Sequence, residues 1–234
     1  MELRNQSVVV LGGTSGIGLA TALAAAEQGA AVTVVSSRQA GVDKAMAVLP
    51  AGTGRVVDLG VPGEVDGLFA EIGEIDHLVY TAGESLALMP VADLDLAAAR
   101  DFFTLRYFSV LAAVRAARVR HSITLTTGVA KDRPGAGWAV AASICGAVDA
   151  LTRALAVELA PVRVNAVSPG VVRSPLWSGM SEDDREQMYR GLGAQLPVGR
   201  VGEVDDIAAA YLYCMTQPFA TGTVLTVDGG TVLV

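Results

Sequence analysis

Seven short apolar runs rich in β-branched residues alternate along this chain with longer segments rich in alanine and leucine. Short runs of this kind predict buried strands, and the segments between them are long enough to form helices that cross from one strand to the next. Strands joined in this way lie parallel, so the alternation predicts a doubly wound α/β fold: a seven-stranded parallel sheet between two layers of helices. The predicted strands are residues 8–11, 32–36, 55–58, 77–81, 122–127, 162–168 and 224–227.

The helices predicted between these strands are residues 18–28, 65–72, 96–118, 142–159 and 205–216. A chain of 234 residues supports one well-buried core better than two small ones, so we expect residues 1–234 to form a single domain. Residues 174–197 interrupt the apolar rhythm with a charged stretch, SEDDRE, that lies between two prolines. We expect this segment to be a mobile lid.

Charge and apolar content restrict the partners of the protein. The net charge of −7 argues against nucleic acid and anionic membranes. The longest apolar stretch in a predicted helix, residues 207–215, is far shorter than the ~20 residues that span a bilayer. No leader-like segment precedes the first strand, so we expect a cytoplasmic protein. A hydrophobic fraction of 52% indicates apolar surface for subunit contacts, and we expect a homo-dimer or homo-tetramer.

Cysteine and histidine are too few to suggest a metal site or a disulfide framework. The chain contains only Cys145, Cys214, His77 and His121, without ligand spacing and without a visible cluster of carboxylates. We expect the two histidines to precede the fourth and fifth strands. Ligands of open α/β sheets bind beyond the opposite ends of the strands, so these histidines are predicted to lie away from the ligand site.

A glycine-rich loop, GGTSGIG at residues 12–18, follows the first strand and opens the first helix. Gly12 permits a tight turn, Gly16 lets the backbone approach a pyrophosphate, and Gly18 permits close packing of helix on strand. The alternative interpretation is a plain turn, but the position between strand and helix favours the dinucleotide site of a Rossmann-like fold. The residues predicted to hold the cofactor here are Gly12, Thr14, Ser15, Gly16, Ile17 and Gly18.

The end of the second strand indicates which dinucleotide is preferred. Ser37 and Arg38 stand where an NAD-binding protein is expected to carry an acidic residue, and a hydroxyl with a guanidinium suits a 2′-phosphate. We therefore predict NADP(H) over NAD(H), although Arg38 is alternatively a solvated loop residue. Asp58, followed by Leu59, is predicted to accept a hydrogen bond from the adenine amino group, or alternatively to cap a loop or helix.

Several further motifs occur in a fixed order along the chain. They are YTAG at residues 80–83, NAVSPG at 165–170, GRVGEV at 199–204 and VDGG at 227–230. Together with the glycine loop, they resemble the short-chain dehydrogenase/reductase family over the whole chain. The resemblance implies that the NAVSPG stretch positions the nicotinamide, that Val172 lies behind it and that Ser174 contacts its carboxamide. It adds Thr81, Ala82, Gly83, Pro169, Gly170, Val172 and Ser174 to the predicted cofactor site.

The family's hydride-transfer site uses an asparagine, a serine and a Tyr-x-x-x-Lys pair, whose spacing places both side chains on one helix face. Aligned through the helix that ends near Leu159, the tyrosine and lysine positions are Ala141 and Cys145. The serine position is Thr127 and the asparagine position is Arg106. No tyrosine in the sequence has a lysine four residues later. The resemblance therefore implies a degenerate catalytic site.

The replacement residues have limited chemistry. Cys145 is a candidate thiolate if Arg106 lowers its pKa, or alternatively an inert small residue. Arg106 stays protonated, so it can hold an anion or form an ion pair but cannot transfer a proton. Trp138 and Trp177 flank the expected pocket, where they stack on a planar substrate or merely fill space.

Three functions remain open from the sequence. The first is an NADP(H)-dependent oxidoreductase that takes its proton from water, from the substrate or from Thr127. The second is a non-catalytic NADP(H)-binding protein that acts as a sensor or as an assembly subunit. The third is a non-redox lyase or isomerase in the same pocket. In each case the ligand is a small-molecule substrate or effector. The resemblance implies subunit pairing through the helices predicted at 96–118 and 142–159.

Overall fold

The fold is described by a computed structural model that covers residues 2–49, 51–61, 63–86 and 88–234. Seven parallel strands form one sheet, as the alternating sequence pattern predicts, and their order is β3-β2-β1-β4-β5-β6-β7. The strand order reverses at β1, so a crevice opens beside the carboxyl ends of β1 and β4. The strands are β1 Ser7–Leu11, β2 Ala31–Ser36, β3 Thr53–Val56, β4 Glu74–Tyr80, β5 Arg118–Thr126, β6 Arg163–Pro169 and β7 Val224–Val227.

Helices cover both faces of the sheet. Alternate residues of β1 point to opposite faces, so Val8 and Val10 belong to one core while Val9 and Leu11 belong to the other. The first core also contains residues of α1, α2 and α8, and the second contains residues of α3 to α6. The helices are α1 Gly16–Glu27, α2 Gln39–Val48, α3 Glu64–Ile72, α4 Leu96–Phe103, α5 Ser109–Ala116, α6 Ala139–Glu158, α7 Glu182–Gly193 and α8 Val204–Thr216.

The helix predicted at residues 96–118 is interrupted and ends earlier. A π-helical turn, Thr104–Phe108, separates α4 from α5, and Arg118 already belongs to β5. The Ser109 hydroxyl explains the turn, because it lies 2.9 Å from the carbonyl oxygen of Thr104 and 2.7 Å from that of Leu59. A side chain inserted in this way widens the helical ladder. The turn carries Arg106 into the crevice.

Other boundaries also differ from the predictions. Strand β3 ends at Val56, so Asp58 lies in the following loop. Strands β4 and β5 begin earlier than predicted, so His77 and His121 lie within the strands and do not precede them. Helix α2 was not predicted. The segment predicted as a lid contains a 3₁₀ turn, Pro175–Trp177, and helix α7, which Ser181 caps by accepting a hydrogen bond from the Asp184 amide.

Helix α6 is the one helix in the described part of the chain whose length and composition would let it cross a membrane. A crossover helix of an α/β sandwich passes the same test. Here α6 packs on β6 and carries Asp149 and Arg153 near its middle. Ile144, Val148 and Leu155 bury one side of α6 against the rest of the core.

Candidate functional site

One cavity of about 430 Å³ lies at the carboxyl edge of the sheet, in the crevice beside β1 and β4. Every residue predicted for the cofactor lines this cavity, and so do all four positions predicted for catalysis. The first set is Gly12, Thr14, Ser15, Gly16, Ile17, Gly18, Ser37, Arg38, Asp58, Leu59, Thr81, Ala82, Gly83, Pro169, Gly170, Val172 and Ser174; the second is Arg106, Thr127, Ala141 and Cys145. Their roles in binding and catalysis stay predictions.

The glycine loop is fixed by close backbone packing. Gly12 has φ +85°, a left-handed conformation that favours glycine, and a Cβ there would lie 2.5 Å from the Ala82 nitrogen. A Cβ on Gly18 would lie 2.5 Å from the Thr81 hydroxyl oxygen. The loop therefore sits directly on the segment that follows β4, and only glycine fits at these two positions.

The N-terminus of α1 is free to receive an anion. Ser15 is its N-cap but makes no capping hydrogen bond, and no acidic residue lies in the first turn. Backbone N–H groups and the helix dipole therefore point into the cavity without a partner from the cap. The glycine loop and this helix end fit the pyrophosphate of a dinucleotide.

The far end of the cavity suits an adenosine. Arg38 is exposed and is the N-cap residue of α2, and its amide donates to the Ser36 hydroxyl at 3.4 Å. One carboxylate oxygen of Asp58 accepts a hydrogen bond from the Gly60 amide at 2.9 Å. Asp58 thus shapes its own loop, and its carboxylate retains lone pairs that can accept from an adenine amino group.

The start of the segment predicted as a lid lines the cavity. The Leu86 amide donates to the Leu176 carbonyl at 3.0 Å, and the hydroxyls of Ser85 and Ser178 lie 2.8 Å apart. These two contacts join the segment after β4 to the 3₁₀ turn of the lid. Trp177 also lines the cavity, while its indole nitrogen donates to the Val172 carbonyl at 3.1 Å.

The part of the cavity lined by Arg106, Thr127, Gly128, Ala141 and Cys145, here called the chemical half, includes several small side chains. Ala141 and Cys145 lie on α6, where a tyrosine and a lysine would stand in the family pattern. The Thr127 hydroxyl donates to the Cys145 carbonyl at 2.9 Å, so it is already engaged. A Cβ on Gly128 would lie 3.3 Å from the Cys145 sulfur. Position 128, which the sequence analysis passed over, is therefore the one whose side chain would face residue 145.

The thiol of Cys145 is not activated. Burial raises its pKa, and the hydrogen bond with Thr127 and the charge of Arg106 only partly oppose this effect. A thiol with a raised pKa stays protonated at neutral pH, which favours the inert interpretation of Cys145 over the thiolate.

Arg106 forms a partly buried ion pair with Glu84 inside the cavity. Its Nε lies 3.3 Å from a Glu84 carboxylate oxygen, and its Nη2 donates a short hydrogen bond to the Glu84 carbonyl. The guanidinium also lies over the Phe102 ring, 4.4 Å from the centroid. Burial lowers the pKa of Arg106 and Glu84 opposes this shift, but an arginine keeps its charge.

Glu84 is the second residue that sequence reasoning missed. It directly follows the YTAG motif at residues 80–83, so its place at the carboxyl edge of β4 was available from the pattern. Its pairing with Arg106 depends on the π-helical turn, and the sequence pattern did not indicate it.

The histidines lie at the opposite edge of the sheet, as predicted. His77 and His121 line a separate cavity together with Gln6 and Arg163, away from the glycine loop. Among the described residues, no group of three or more His, Cys, Asp or Glu side chains is placed to hold a metal ion.

Comparisons with known proteins agree with this arrangement. A family model described as an SDR-like Rossmann domain matches residues 1–234. The short-chain dehydrogenase/reductase ATR9 of Stachybotrys chlorohalonatus is 37% identical over 251 residues, which cover 99% of this chain and 98% of that protein.

Two solved structures extend the comparison. MalC, a reductase/Diels-Alderase from Malbranchea aurantiaca, superposes with a TM-score of 0.92 at 30% identity, covering 99% of this chain and 98% of that one. An NADPH-bound short-chain oxidoreductase from Pseudomonas aeruginosa PAO1, described as containing an atypical catalytic center, gives a TM-score of 0.88 at 28% identity, covering 97% and 96%. The chain belongs to the short-chain dehydrogenase/reductase family of oxidoreductases.

Proposed function

We propose that this protein is an NADP(H)-dependent oxidoreductase that binds and orients its reactants but supplies no tyrosine–lysine proton donor. The observation that carries the proposal is that the residues predicted for a dinucleotide line the same cavity as Gly128, Ala141 and Cys145. A bound nicotinamide would supply the hydride. The chain would supply position and electrostatics, and the proton would come from water or from the substrate.

The residues that would hold the cofactor divide by function. The glycine loop and the first turn of α1 would receive the pyrophosphate, and Ser37 with Arg38 would receive a 2′-phosphate. Pro169, Gly170 and Val172 would position the nicotinamide, with Ser174 at its carboxamide. The NADPH carried by the P. aeruginosa structure supports this choice of cofactor.

Two measurements test the proposal. Calorimetry should detect NADPH binding that is tighter than NADH binding. Absorbance at the reduced nicotinamide band should then fall in the presence of at least one acceptor from a panel of saturated ketones, conjugated carbonyls and imines. Tight NADPH binding without oxidation by any acceptor would instead favour a non-catalytic binding protein, and no affinity for either coenzyme would end both interpretations.

A further inference from the structure

Resting on the proposed function, we infer that the substrate is a conjugated carbonyl compound, such as an enone or enoyl derivative, whose oxygen is held by Arg106. Hydride would add to the β-carbon, and Arg106 would stabilise the resulting enolate oxygen.

One edge of the Arg106 guanidinium is held by Glu84, and the opposite edge is available to a ligand in the cavity. Nε and Nη2 face Glu84, and the plane of the group lies on Phe102. The guanidinium also packs on Gly83, where a Cβ would lie 2.7 Å from Nη1. Within the described residues Nη1 makes no hydrogen bond and is not sealed from solvent. Two N–H groups of a fixed cation are therefore available to an oxygen in the cavity.

The hydroxyl groups around this point are already committed. The Tyr80 hydroxyl donates to the Leu105 carbonyl at 2.6 Å, and the Thr127 hydroxyl donates to the Cys145 carbonyl. Burial also raises the pKa of Tyr80. Arg106 itself cannot release a proton. Arg106 can therefore stabilise an oxyanion by its charge, whereas the Tyr80 and Thr127 hydroxyls have no free hydrogen for an alkoxide.

This difference selects the reaction. Reduction of an isolated ketone places a full charge on oxygen and needs a general acid, whose loss typically slows such a step by about 10²- to 10⁴-fold. In a conjugated carbonyl, the hydride forms a C–H bond at the β-carbon and the C=C electron pair moves to form an enolate. The enolate shares its charge with the α-carbon, so hydrogen bonds from a fixed cation suffice to stabilise it. Water then protonates the α-carbon and leaves hydroxide, which the buffer neutralises.

The cavity has room for such a molecule beside Arg106. Gly128, Ala141 and Cys145 leave open the space that larger side chains would fill. Phe102, Trp138 and Ile144 line the same region, so its walls are apolar and partly planar. A flat conjugated skeleton fits between these walls with its oxygen toward Arg106.

A stable enolate tests the inference without turnover. Cyclohexane-1,3-dione is present as its enolate at neutral pH, and its binding to the protein saturated with NADP⁺ can be followed by calorimetry. Replacing Arg106 and Glu84 together by glutamine removes the ion pair without leaving an unpaired charge. We expect this double variant to bind the dione about 10- to 100-fold more weakly, because one charge-assisted contact is lost.

Three single variants complete the binding test. Arg106→Lys keeps the charge and should retain part of the affinity. Glu84→Gln leaves Arg106 without its neutralising partner and should tighten dione binding. Arg100→Gln, on the exposed face of α4 and outside the cavity, serves as the matched control and should change nothing. Equal dione affinity in the original protein and the double variant would overturn the inference.

Product analysis separates this inference from the proposed function. With NADPH, cyclohex-2-enone should give cyclohexanone with one solvent deuteron at the α-carbon in D₂O, while cyclohexanone itself should react far more slowly. Reduction of cyclohexanone at a similar rate, or formation of the allylic alcohol, would refute the conjugate reaction but leave the proposed oxidoreductase standing. No NADPH oxidation with any acceptor would refute both.

Discussion

The two halves of the cavity are built on the same sheet edge but by different means. The half predicted to hold the cofactor, here called the cofactor half, is shaped by backbone geometry. Gly12 and Gly18 pack against the segment after β4, and the uncapped N-terminus of α1 faces the cavity. In the chemical half, α6 is the helix that the family pattern requires. Its side chains differ, because Ala141 and Cys145 stand on the face where that pattern has a tyrosine and a lysine. In the function proposed above, binding and chemistry would therefore depend on separate sets of residues.

The packing of α6 explains why the chemical half can change without cost to the fold. The helix is anchored by Ile144, Val148 and Leu155, which are buried in the core between α6 and one face of the sheet. Ala141 and Cys145 are only partly buried at its cavity side. Substitutions at these two positions alter the chemistry and leave the anchoring contacts in place. A substitution at Gly12 or Gly18 would instead place a Cβ against backbone atoms.

The largest expected effect comes from rebuilding the chemical half. The triple variant Gly128→Ser, Ala141→Tyr and Cys145→Lys restores a proton donor, so we expect reduction of a saturated ketone by NADPH to rise about 10²- to 10⁴-fold. The measurement is the initial rate with cyclohexanone. An unchanged rate in a folded, NADPH-binding variant would show that the halves differ by more than these side chains.

A second triple variant sharpens that result. Thr127→Ser, Ala141→Tyr and Cys145→Lys places the hydroxyl at the position that the family alignment suggests. We expect less recovery from it, because residue 127 turns its hydroxyl to the Cys145 carbonyl while residue 128 faces the side chain of residue 145. Greater recovery with serine at 127 would contradict this geometry.

The next effect tests the cofactor half. Gly12→Ala sets a Cβ 2.5 Å from the Ala82 nitrogen at φ +85°, and we expect NADPH binding to weaken roughly 100-fold. Gly67→Ala is the matched control, because nothing lies within 4 Å of its Cβ position on α3. Calorimetry measures both affinities, and circular dichroism verifies folding. Unchanged NADPH affinity in Gly12→Ala would contradict the prediction that the glycine loop binds the cofactor.

Much of the fold and of the cofactor half could be predicted from the sequence because both rest on local patterns. Buried parallel strands require apolar runs, and the glycine loop occupies its characteristic place between β1 and α1. Helix α2 escaped prediction because Gly41 lowers its helix propensity, and packing of Val42 and Ala45 decides the outcome.

The chemical half depends on contacts between distant residues. The π-helical turn that carries Arg106 depends on Ser109 reaching the Leu59 carbonyl, 50 positions away in the sequence. The pairing of Arg106 with Glu84 follows from that turn. No periodicity or motif records either contact, so the sequence indicated which residues meet in the cavity but not how they are oriented.

An effect on stability lies at the opposite sheet edge and should leave both halves unchanged. Burial, aided by His121, lowers the pKa of His77 from 6.5 to about 4. The folded state therefore disfavours the charged form, and stability is lost as pH falls from 6.5 towards 4, by roughly 3 kcal/mol in all. We expect His77→Asn to flatten the dependence of the urea midpoint on pH across this window.

The histidine prediction has its own control. His121→Asn alters an exposed ring and should retain most of the pH dependence, and NADPH affinity at pH 7 should be the same in both variants. An equally steep pH dependence in His77→Asn would show that another group carries it.

The smallest effect concerns coenzyme choice within the cofactor half. Arg38 is exposed, so its contact with a 2′-phosphate would be screened by solvent, and we expect Arg38→Gln to weaken NADPH binding only about 3- to 10-fold. NADH lacks the 2′-phosphate, so its affinity should not change. Arg55→Gln on the neighbouring strand β3, exposed but outside the cavity, is the matched control. Equal losses for NADPH and NADH would mean that Arg38 supports the loop and does not read the phosphate, and the preference for NADP(H) would then rest on Ser37 alone.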